Sequence, residues 1–271
     1  MPGVTAATQR VDVVVEIGGL PIRLSCDDPA FVHLVQERYA GYISAANDAA
    51  FDFEIELAPP GTESRDEDVR VTWESGCWLM ERGDFRAEWN PSTGQGRIQQ
   101  TRNPYSLDSV LRIVHTLLLA QRGGFLLHAS SAIRNGQAFL FSGVSGAGKT
   151  TMARLAPPDA AILTDEISYV IRQDGRYVAA GTPFFGELAR VGDNLRAPIK
   201  ALYLLAKGPE NIIEPIAPAD AVRGLLGNTL FFARDPEFVK MVFDTAFDFV
   251  RQVPVRRLTF APDSSVWGLI V

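Results

Sequence analysis

Eight consecutive residues near the middle of the chain, Gly143 to Thr150 (GVSGAGKT), match the pattern G-x-x-x-x-G-K-[ST] in full. Glycines in this pattern let successive backbone N–H groups face inward and surround a phosphate. Lys149 can reach the β- and γ-phosphates of a nucleotide, and the Thr150 hydroxyl can ligate Mg²⁺. The motif predicts an ATP site with Mg²⁺, and the residues expected at the nucleotide are Gly143, Ser145, Gly146, Ala147, Gly148, Lys149, Thr150 and Thr151.

Two acids follow the motif at the end of an apolar stretch, AILTDE, residues 161–166. In P-loop enzymes such a strand lies beside the phosphate strand, so its terminal carboxylate can meet the magnesium shell or a nearby water. Asp165 is the first candidate, either as a metal ligand or as the general base for an incoming hydroxyl. Glu166 is a second candidate metal ligand, and strand alternation predicts that the two side chains point in different directions. The alternative is that both acids simply form the polar end of a strand.

One of the three histidines also lies near the motif. His128 ends the apolar stretch GFLLH, directly before a hairpin that returns into the strand preceding the glycine-rich loop. An imidazole there can hydrogen-bond a phosphoryl oxygen or a substrate group, so His128 joins Lys149 and Asp165 as a candidate catalytic residue. The alternative is a structural histidine at a strand end. His33 and His115 fall within predicted helices and are expected to be surface or packing residues.

Composition excludes several classes of function. The chain has 271 residues and a formal net charge of -6 at pH 7, which provides no positive field for nucleic acid. No stretch approaches the roughly 18 consecutive apolar residues of a membrane span, and the first residues do not resemble a secretory signal. The two cysteines lie far apart, which argues against a disulfide framework. We expect a cytoplasmic protein without nucleic-acid or membrane partners.

The elements that position these residues divide at about residue 104 by pattern. Residues 1–104 are expected to form a smaller α+β domain rich in antiparallel strands, with a role in substrate recognition or in support of the second domain. The predicted elements are a hairpin over 11–25 across Gly18-Gly19, a helix from Asp28-Pro29 with Phe31, Leu34 and Val35 inward, and strands at 51–57, 69–73, 77–80 and 85–89.

Residues 105–271 are expected to form an α/β domain that carries the glycine-rich loop. A helix capped by Ser106 ends at Gly123-Gly124, and strand-length apolar runs follow at 125–128, 138–142, 161–164 and 201–205. A last helix begins at Asp235-Pro236, with an inward face predicted to contain Phe238, Val239, Val242, Phe243, Ala246, Phe249 and Val250.

Three stretches, LLHASSAIRNGQAFLFSGVSGAGKTTMARL, AILTDE and GTPFFGEL, resemble the catalytic domain of the HPr serine kinase/phosphorylase family and its HPr-kinase-related members, which include lasso-peptide precursor kinases. The resemblance covers roughly residues 124–271. It implies a P-loop kinase domain of the type shared with ATP-dependent phosphoenolpyruvate carboxykinase. It also implies that His128 is the family's histidine before the hairpin and that Asp165 is the first of its two acids, one of which deprotonates a serine hydroxyl.

Other positions depart from that family. The loop continues as Lys149-Thr150-Thr151 where the bifunctional enzymes favour Lys-Ser-Glu, and the acids are Asp-Glu rather than Asp-Asp. The Glu-x-Arg-Gly signature is not intact, which leaves phosphorylase activity and recognition of HPr itself open. In its place, Glu187 is a further candidate for the metal shell, and Arg190 or Arg196 for transition-state charge. A surface ion pair is the alternative for either arginine.

Together these patterns predict an ATP- and Mg²⁺-dependent kinase that phosphorylates a hydroxyl, in the first place a serine of a protein or peptide. A kinase for a small-molecule alcohol and a nucleotide-dependent ATPase switch remain as alternatives. A carboxykinase-like lyase is disfavoured, because the additional basic and metal-binding residues of those enzymes are not found. The resemblance to hexameric relatives leaves homo-oligomerisation open.

Overall fold

The computed structural model describes residues 10–45, 48–59 and 68–270. It is a mixed α/β structure that divides into two compact units, one up to Leu111 and one from Arg112. A helix, Pro104–Gln121, runs across this division.

Among the described residues, the first unit contains one seven-stranded sheet and one helix wholly its own. The helix is α1 (Pro29–Arg38). The strands are β1 (Val11–Ile17), β2 (Leu20–Cys26), β3 (Phe51–Leu57), β4 (Arg70–Glu74), β5 (Cys77–Arg82), β6 (Phe85–Asn90) and β7 (Gln95–Gln100). Their order across the sheet is β1-β2-β3-β7-β6-β5-β4.

The hairpin turn and the helix cap of this unit were predicted correctly. Gly18 and Gly19 have φ of 61° and 80° and connect β1 to β2 as a two-residue hairpin, because such a turn needs left-handed backbone at both positions. The Asp28 side chain caps α1 by accepting a hydrogen bond from the Phe31 N–H at 2.9 Å. Phe31 is buried as expected, whereas Leu34 is 40% exposed, so its predicted inward position is wrong.

The pairing of distant strands was not predicted. The antiparallel meander of β4, β5 and β6 is confirmed, and β7, which sequence patterns missed, extends it. Strand β3 then pairs in parallel with both β2 and β7. Phe53 and Ile98, from this central pair of strands, lie in the core.

Among its described residues, the second unit contains a nine-stranded sheet. Its strands are β8 (Phe125–Arg134), β9 (Gln137–Ser142), β10 (Ala161–Thr164), β11 (Ile167–Gln173), β12 (Arg176–Ala180), β13 (Arg196–Lys207), β14 (Ile212–Pro215), β15 (Thr229–Leu230) and β16 (Val255–Phe260). The helices are α2 (Pro104–Gln121, which enters from the first unit), α3 (Lys149–Arg154), α4 (Pro218–Leu226), α5 (Pro236–Gln252) and a 3-10 helix (Ser264–Leu269).

Helix α2 begins earlier than predicted. Ser106 lies inside the helix rather than at its N-cap, and its hydroxyl donates to Asp84 at 2.6 Å. Asn103, the residue before α2, instead accepts the N–H of Tyr105, the second residue of the helix, at 3.0 Å. At the other end, Gly123 has φ 67°, and the Gly124 N–H donates to the Leu119 carbonyl at 2.8 Å, so the predicted glycine stop is confirmed.

Strand β8 lies between β9 and a second, interrupted strand. It forms the predicted hairpin with β9 through Asn135 and Gly136, whose φ values are 51° and 72°. Strands β10 and β11 both pair with β8, in nearly continuous antiparallel register, and residues 165–166 interrupt them. The expectation that β10 adjoins the strand before the glycine-rich loop is therefore wrong, because β8 separates β10 from β9.

The two faces of the second sheet are buried by different elements. Consecutive residues of β9 illustrate this: Leu140 belongs to a core cluster with Phe249 of α5, and Phe141 to one with Trp267 of the 3-10 helix. Helix α5 is capped by Asp235 as predicted, but Phe243, expected inside, is 47% exposed. No helix among the described residues is long and apolar enough to cross a membrane.

Candidate functional site

The glycine-rich loop connects β9 to α3, which is the strand-loop-helix setting that the motif requires. Gly146 and Gly148 have φ of 75° and 110°, which favour glycine over residues with side chains. A Cβ at Gly148 would lie 2.5 Å from Cζ of Phe260, so this position also lacks room for a side chain. The turn closes locally, since the Ala147 N–H donates to the Val144 carbonyl at 3.0 Å.

Lys149 is the first residue of α3, and its side chain folds back over the loop. Its ammonium group donates to the carbonyls of Gly143 and Val144 at 3.0 and 3.3 Å. Burial lowers the pKa of Lys149, and the charges of Glu166 and Glu187 oppose that shift. These two acids therefore lie close enough for their negative charges to act on the lysine.

Asp165 and Glu166 occupy the break between β10 and β11, and they have different surroundings. Asp165 is 1% exposed, and its two oxygens accept the backbone N–H groups of Gly186 and Leu188, each at 2.9 Å. The neighbouring Thr164 hydroxyl donates to the Phe184 carbonyl at 3.1 Å. Asp165 and Thr164 thus hold the 184–188 segment against the end of β10.

Glu166, directly before β11, forms a pair with His128 of β8. His128 Nε2 donates to Glu166 Oε1 at 2.9 Å, and the side chains are 38% and 31% exposed. This hydrogen bond is the main reason that the pKa of Glu166 lies below its ordinary value, and the charges of His128, Lys149 and Arg112 add to the effect. Glu166 is therefore an ionised carboxylate at neutral pH with an imidazole fixed beside it.

The loop, the pair and the 184–188 segment surround one cleft of about 570 Å³. Its described lining residues are Arg112, His128, Ser145, Gly146, Gly148, Lys149, Thr150, Thr151, Glu166, Phe185, Gly186 and Glu187. A cleft of this volume is within the range of small-molecule sites. The structure thus brings His128, Glu166 and Glu187 together with the glycine-rich loop.

The remaining predicted residues lie outside the lining of this cleft. Ala147 is buried within the loop, and Gly143 contributes the carbonyl that accepts from Lys149. Asp165 is turned toward the 184–188 segment. Arg190 is exposed, with 3.4 Å between its Nη2 and Oδ1 of Asp193, and Arg196 is exposed at the start of β13. The catalytic role expected for Asp165 and the charge role expected for Arg190 or Arg196 stay predictions.

The donor set in the cleft suits a magnesium ion that is bound together with phosphates. Within residues 10–45, 48–59 and 68–270, no group of three or more His, Cys, Asp or Glu side chains is arranged to hold a metal. Mg²⁺ ordinarily uses one or two protein oxygens plus substrate phosphates and water rather than a cage of protein ligands. The Thr150 hydroxyl and the Glu187 carboxylate, both in the cleft lining, fit that mode.

Sequence reasoning missed Arg112. This residue enters the cleft from α2, and its guanidinium carbon lies 4.9 Å from the centre of the Phe184 ring. A signal was present, since Arg112 is the sole formally charged residue between Asp108 and Arg122 in an otherwise apolar helix. A lone charge in such a stretch indicates a side chain with a specific environment.

The model of one protein family, SynChlorMet cassette protein ScmC, matches residues 97–270, which include every lining residue of the cleft. The chain belongs to the ScmC family. The match covers more than half of the chain, and it starts within β7 of the first unit. No curated protein matches the chain.

Among solved structures, the HPr(Ser) kinase/phosphatase from Coxiella burnetii is similar over 46% of this ScmC-family chain and 88% of that chain. The sequences are 14% identical and the TM-score is 0.24. That score is too low to establish a shared fold. Kinship with the HPr serine kinase family stays a prediction.

Proposed function

We propose that this protein is an ATP- and Mg²⁺-dependent kinase that transfers the γ-phosphate to a hydroxyl, in the first place a serine of a protein or peptide. One observation carries the proposal: a complete phosphate-loop motif and the Glu166–His128 pair face the same cleft. Phosphoryl transfer to a hydroxyl needs groups that position the phosphate and a proton acceptor within hydrogen-bond reach of the hydroxyl that attacks the phosphorus atom.

In this reaction the loop N–H groups and Lys149 hold the phosphates. Mg²⁺, when bound with the nucleotide, would neutralise phosphate charge, and Thr150 and Glu187 are the residues that would hold it. Glu166 accepts the proton of the acceptor hydroxyl as the new oxygen–phosphorus bond forms. The bond between the γ-phosphorus and the bridging oxygen breaks, and its electron pair leaves with ADP.

The two neighbouring acids have separate roles in this proposal. Glu166 is the proton acceptor because it is partly exposed in the cleft and ionised beside His128. His128 donates one hydrogen bond to Glu166 and so fixes the direction of the carboxylate. Asp165 positions the 184–188 segment through its two backbone hydrogen bonds, a role that replaces in this proposal the catalytic role predicted from the sequence.

The Glu166–His128 pair also favours a kinase over an ATPase switch. A switch requires loops that respond to the γ-phosphate, whereas transfer to a hydroxyl requires an ordered base at the acceptor position. The base, Glu166, lies in the two-residue break directly before β11 and is held by His128 of β8, rather than lying on a long loop.

The test compares the parent protein with Lys149→Ala, Glu166→Gln and, as a matched control, Glu210→Gln, which removes an exposed carboxylate outside the cleft. ATP binding is measured by calorimetry, and transfer by incubation with γ-labelled ATP, Mg²⁺ and a library of serine-containing peptides. Lys149→Ala is expected to lose ATP binding. Glu166→Gln is expected to bind ATP normally and to lose transfer by about 100-fold or more.

Two results would contradict the proposal. ATP that does not bind to the parent protein would remove the nucleotide site altogether. Label that appears only as free phosphate, with equal rates for the parent and Glu166→Gln, would support the ATPase switch and remove the carboxylate from the chemistry.

A further inference from the structure

Arg112 is the only arginine among the described residues that line the cleft. It belongs to α2, far in sequence from the glycine-rich loop, and no pattern in the sequence assigns it to phosphate chemistry. We infer that Arg112 is a catalytic residue of the proposed kinase. Its guanidinium binds the phosphoryl group in the transition state of transfer from ATP to the acceptor. This inference rests on the function proposed above and adds a residue to it.

The guanidinium has a fixed place at the cleft. It lies against the ring of Phe184, with 4.9 Å between the guanidinium carbon and the ring centre, a cation–π contact. Phe184 is fully buried, and its carbonyl accepts a hydrogen bond from Thr164. The same 184–188 segment is held by Asp165. A cation held this way needs little reorganisation when charge develops nearby, which is what transition-state stabilisation requires.

Arg112 and Lys149 place their positive charges on different walls of the cleft, so the two residues have different roles. The positive charges of both Arg112 and Lys149 act on the Glu166 carboxylate, so the acceptor base lies within electrostatic reach of both. Lys149 is bound to the loop that would hold the β- and γ-phosphates. Arg112 approaches from α2 and the 184–188 segment, a different wall of the cleft.

The chemistry of transfer favours an arginine at this position. The phosphoryl group carries three equatorial oxygens while the bond to ADP breaks and the bond to the acceptor oxygen forms. A guanidinium presents several N–H donors in one plane and can bind two of those oxygens at once, which an ammonium group cannot do with the same geometry. Arg112 donates hydrogen bonds and is not consumed, and the acceptor proton goes to Glu166.

The test uses ADP, Mg²⁺ and aluminium fluoride, which together imitate a phosphoryl group in transfer. Calorimetry gives the ADP affinity of the parent, Arg112→Gln, Arg112→Lys and Arg223→Gln, with and without fluoroaluminate. Arg223 is a matched control, because its side chain is 78% exposed and pairs with Asp220 on α4. The ADP affinity without fluoroaluminate also shows that each variant is folded.

Fluoroaluminate is expected to raise ADP affinity by about 10-fold or more in the parent and in Arg223→Gln, since transition-state mimics bind tighter than ground-state ligands. Arg112→Gln is expected to keep its affinity for ADP alone and to lose the gain, and Arg112→Lys to recover only part of it. An unchanged gain in Arg112→Gln, or no gain in the parent, would overturn the inference while ADP binding still supported the nucleotide site. Absence of ADP binding in the parent would instead remove the proposed function and this inference with it.

Discussion

Replacing Asp165 with asparagine converts one oxygen of a buried side chain into an amino group, and the contacts of that oxygen set the expected effect. Both carboxylate oxygens accept backbone N–H groups, from Gly186 and Leu188, at 2.9 Å each. In asparagine a single oxygen remains to accept one of these N–H groups. The other N–H then faces the NH₂ group of the asparagine side chain, which is itself a donor. A buried unsatisfied donor costs about 1–3 kcal/mol, and loss of the charge weakens the remaining bond by about 1 kcal/mol. The expected loss of unfolding free energy is therefore about 2–4 kcal/mol.

Urea unfolding at neutral pH measures this loss for the unit that contains Asp165, with Glu166→Gln as the matched control. Because the Glu166 side chain is 31% exposed and points into the cleft, its replacement is expected to change stability by less than about 1 kcal/mol. Hydrogen exchange at Gly186 and Leu188 should speed up in Asp165→Asn and stay unchanged in Glu166→Gln. A stability loss below about 0.5 kcal/mol in Asp165→Asn would refute the positioning role.

Two further predictions concern the loop and the pH dependence of stability. Gly148→Ala is expected to reduce ATP affinity much more than Gly146→Ala, by calorimetry, since both have positive φ but only the first Cβ meets Phe260, at 2.5 Å; equal losses would contradict this. Burial lowers the pKa of His115 from 6.5 to about 3. Between these pH values the unfolded chain binds a proton that the folded unit excludes, so stability falls as the pH drops, by about 2 kcal/mol at about pH 5. Urea unfolding of His115→Asn should show a weaker loss between neutral pH and pH 5, and an unchanged loss would contradict the assignment.

Elements whose signals lie within a few residues were predictable. The hairpin at Gly18-Gly19 and the Asp28 cap of α1 depend on backbone conformations and hydrogen bonds that neighbouring residues determine. The parallel pairing of β3 with β2 and β7 joins distant segments, and no local pattern encodes it. Strand β7 has the sequence QGRIQQ and a single large apolar residue, Ile98. It therefore lacks the alternation of apolar and polar residues by which strands are predicted.

Surface positions show a second limit. Leu34 and Phe243 fit the apolar spacing of their helices, but each helix meets its sheet over a narrower stripe than the spacing allows. Helical periodicity predicts which side chains share a face, and it does not predict how wide the neighbouring element is. Arg112 was missed for the same reason, because the helical pattern of α2 does not predict which part of the helix lies at the cleft.

At the site itself, the motif predicted the loop, but the division between the two acids depended on a distant segment. Asp165 and Glu166 do have different surroundings, but both lie in the break between β10 and β11, where strand alternation no longer applies. The sequence therefore does not indicate which of the two side chains points into the cleft. The 184–188 segment decides this by donating two N–H groups to Asp165. Gly186 completes the arrangement, since a Cβ there would lie 2.6 Å from Oε2 of Glu166. The glycine lets the segment pass beside Glu166 while it binds Asp165, so the backbone of this stretch contributes to the site even where its side chains do not.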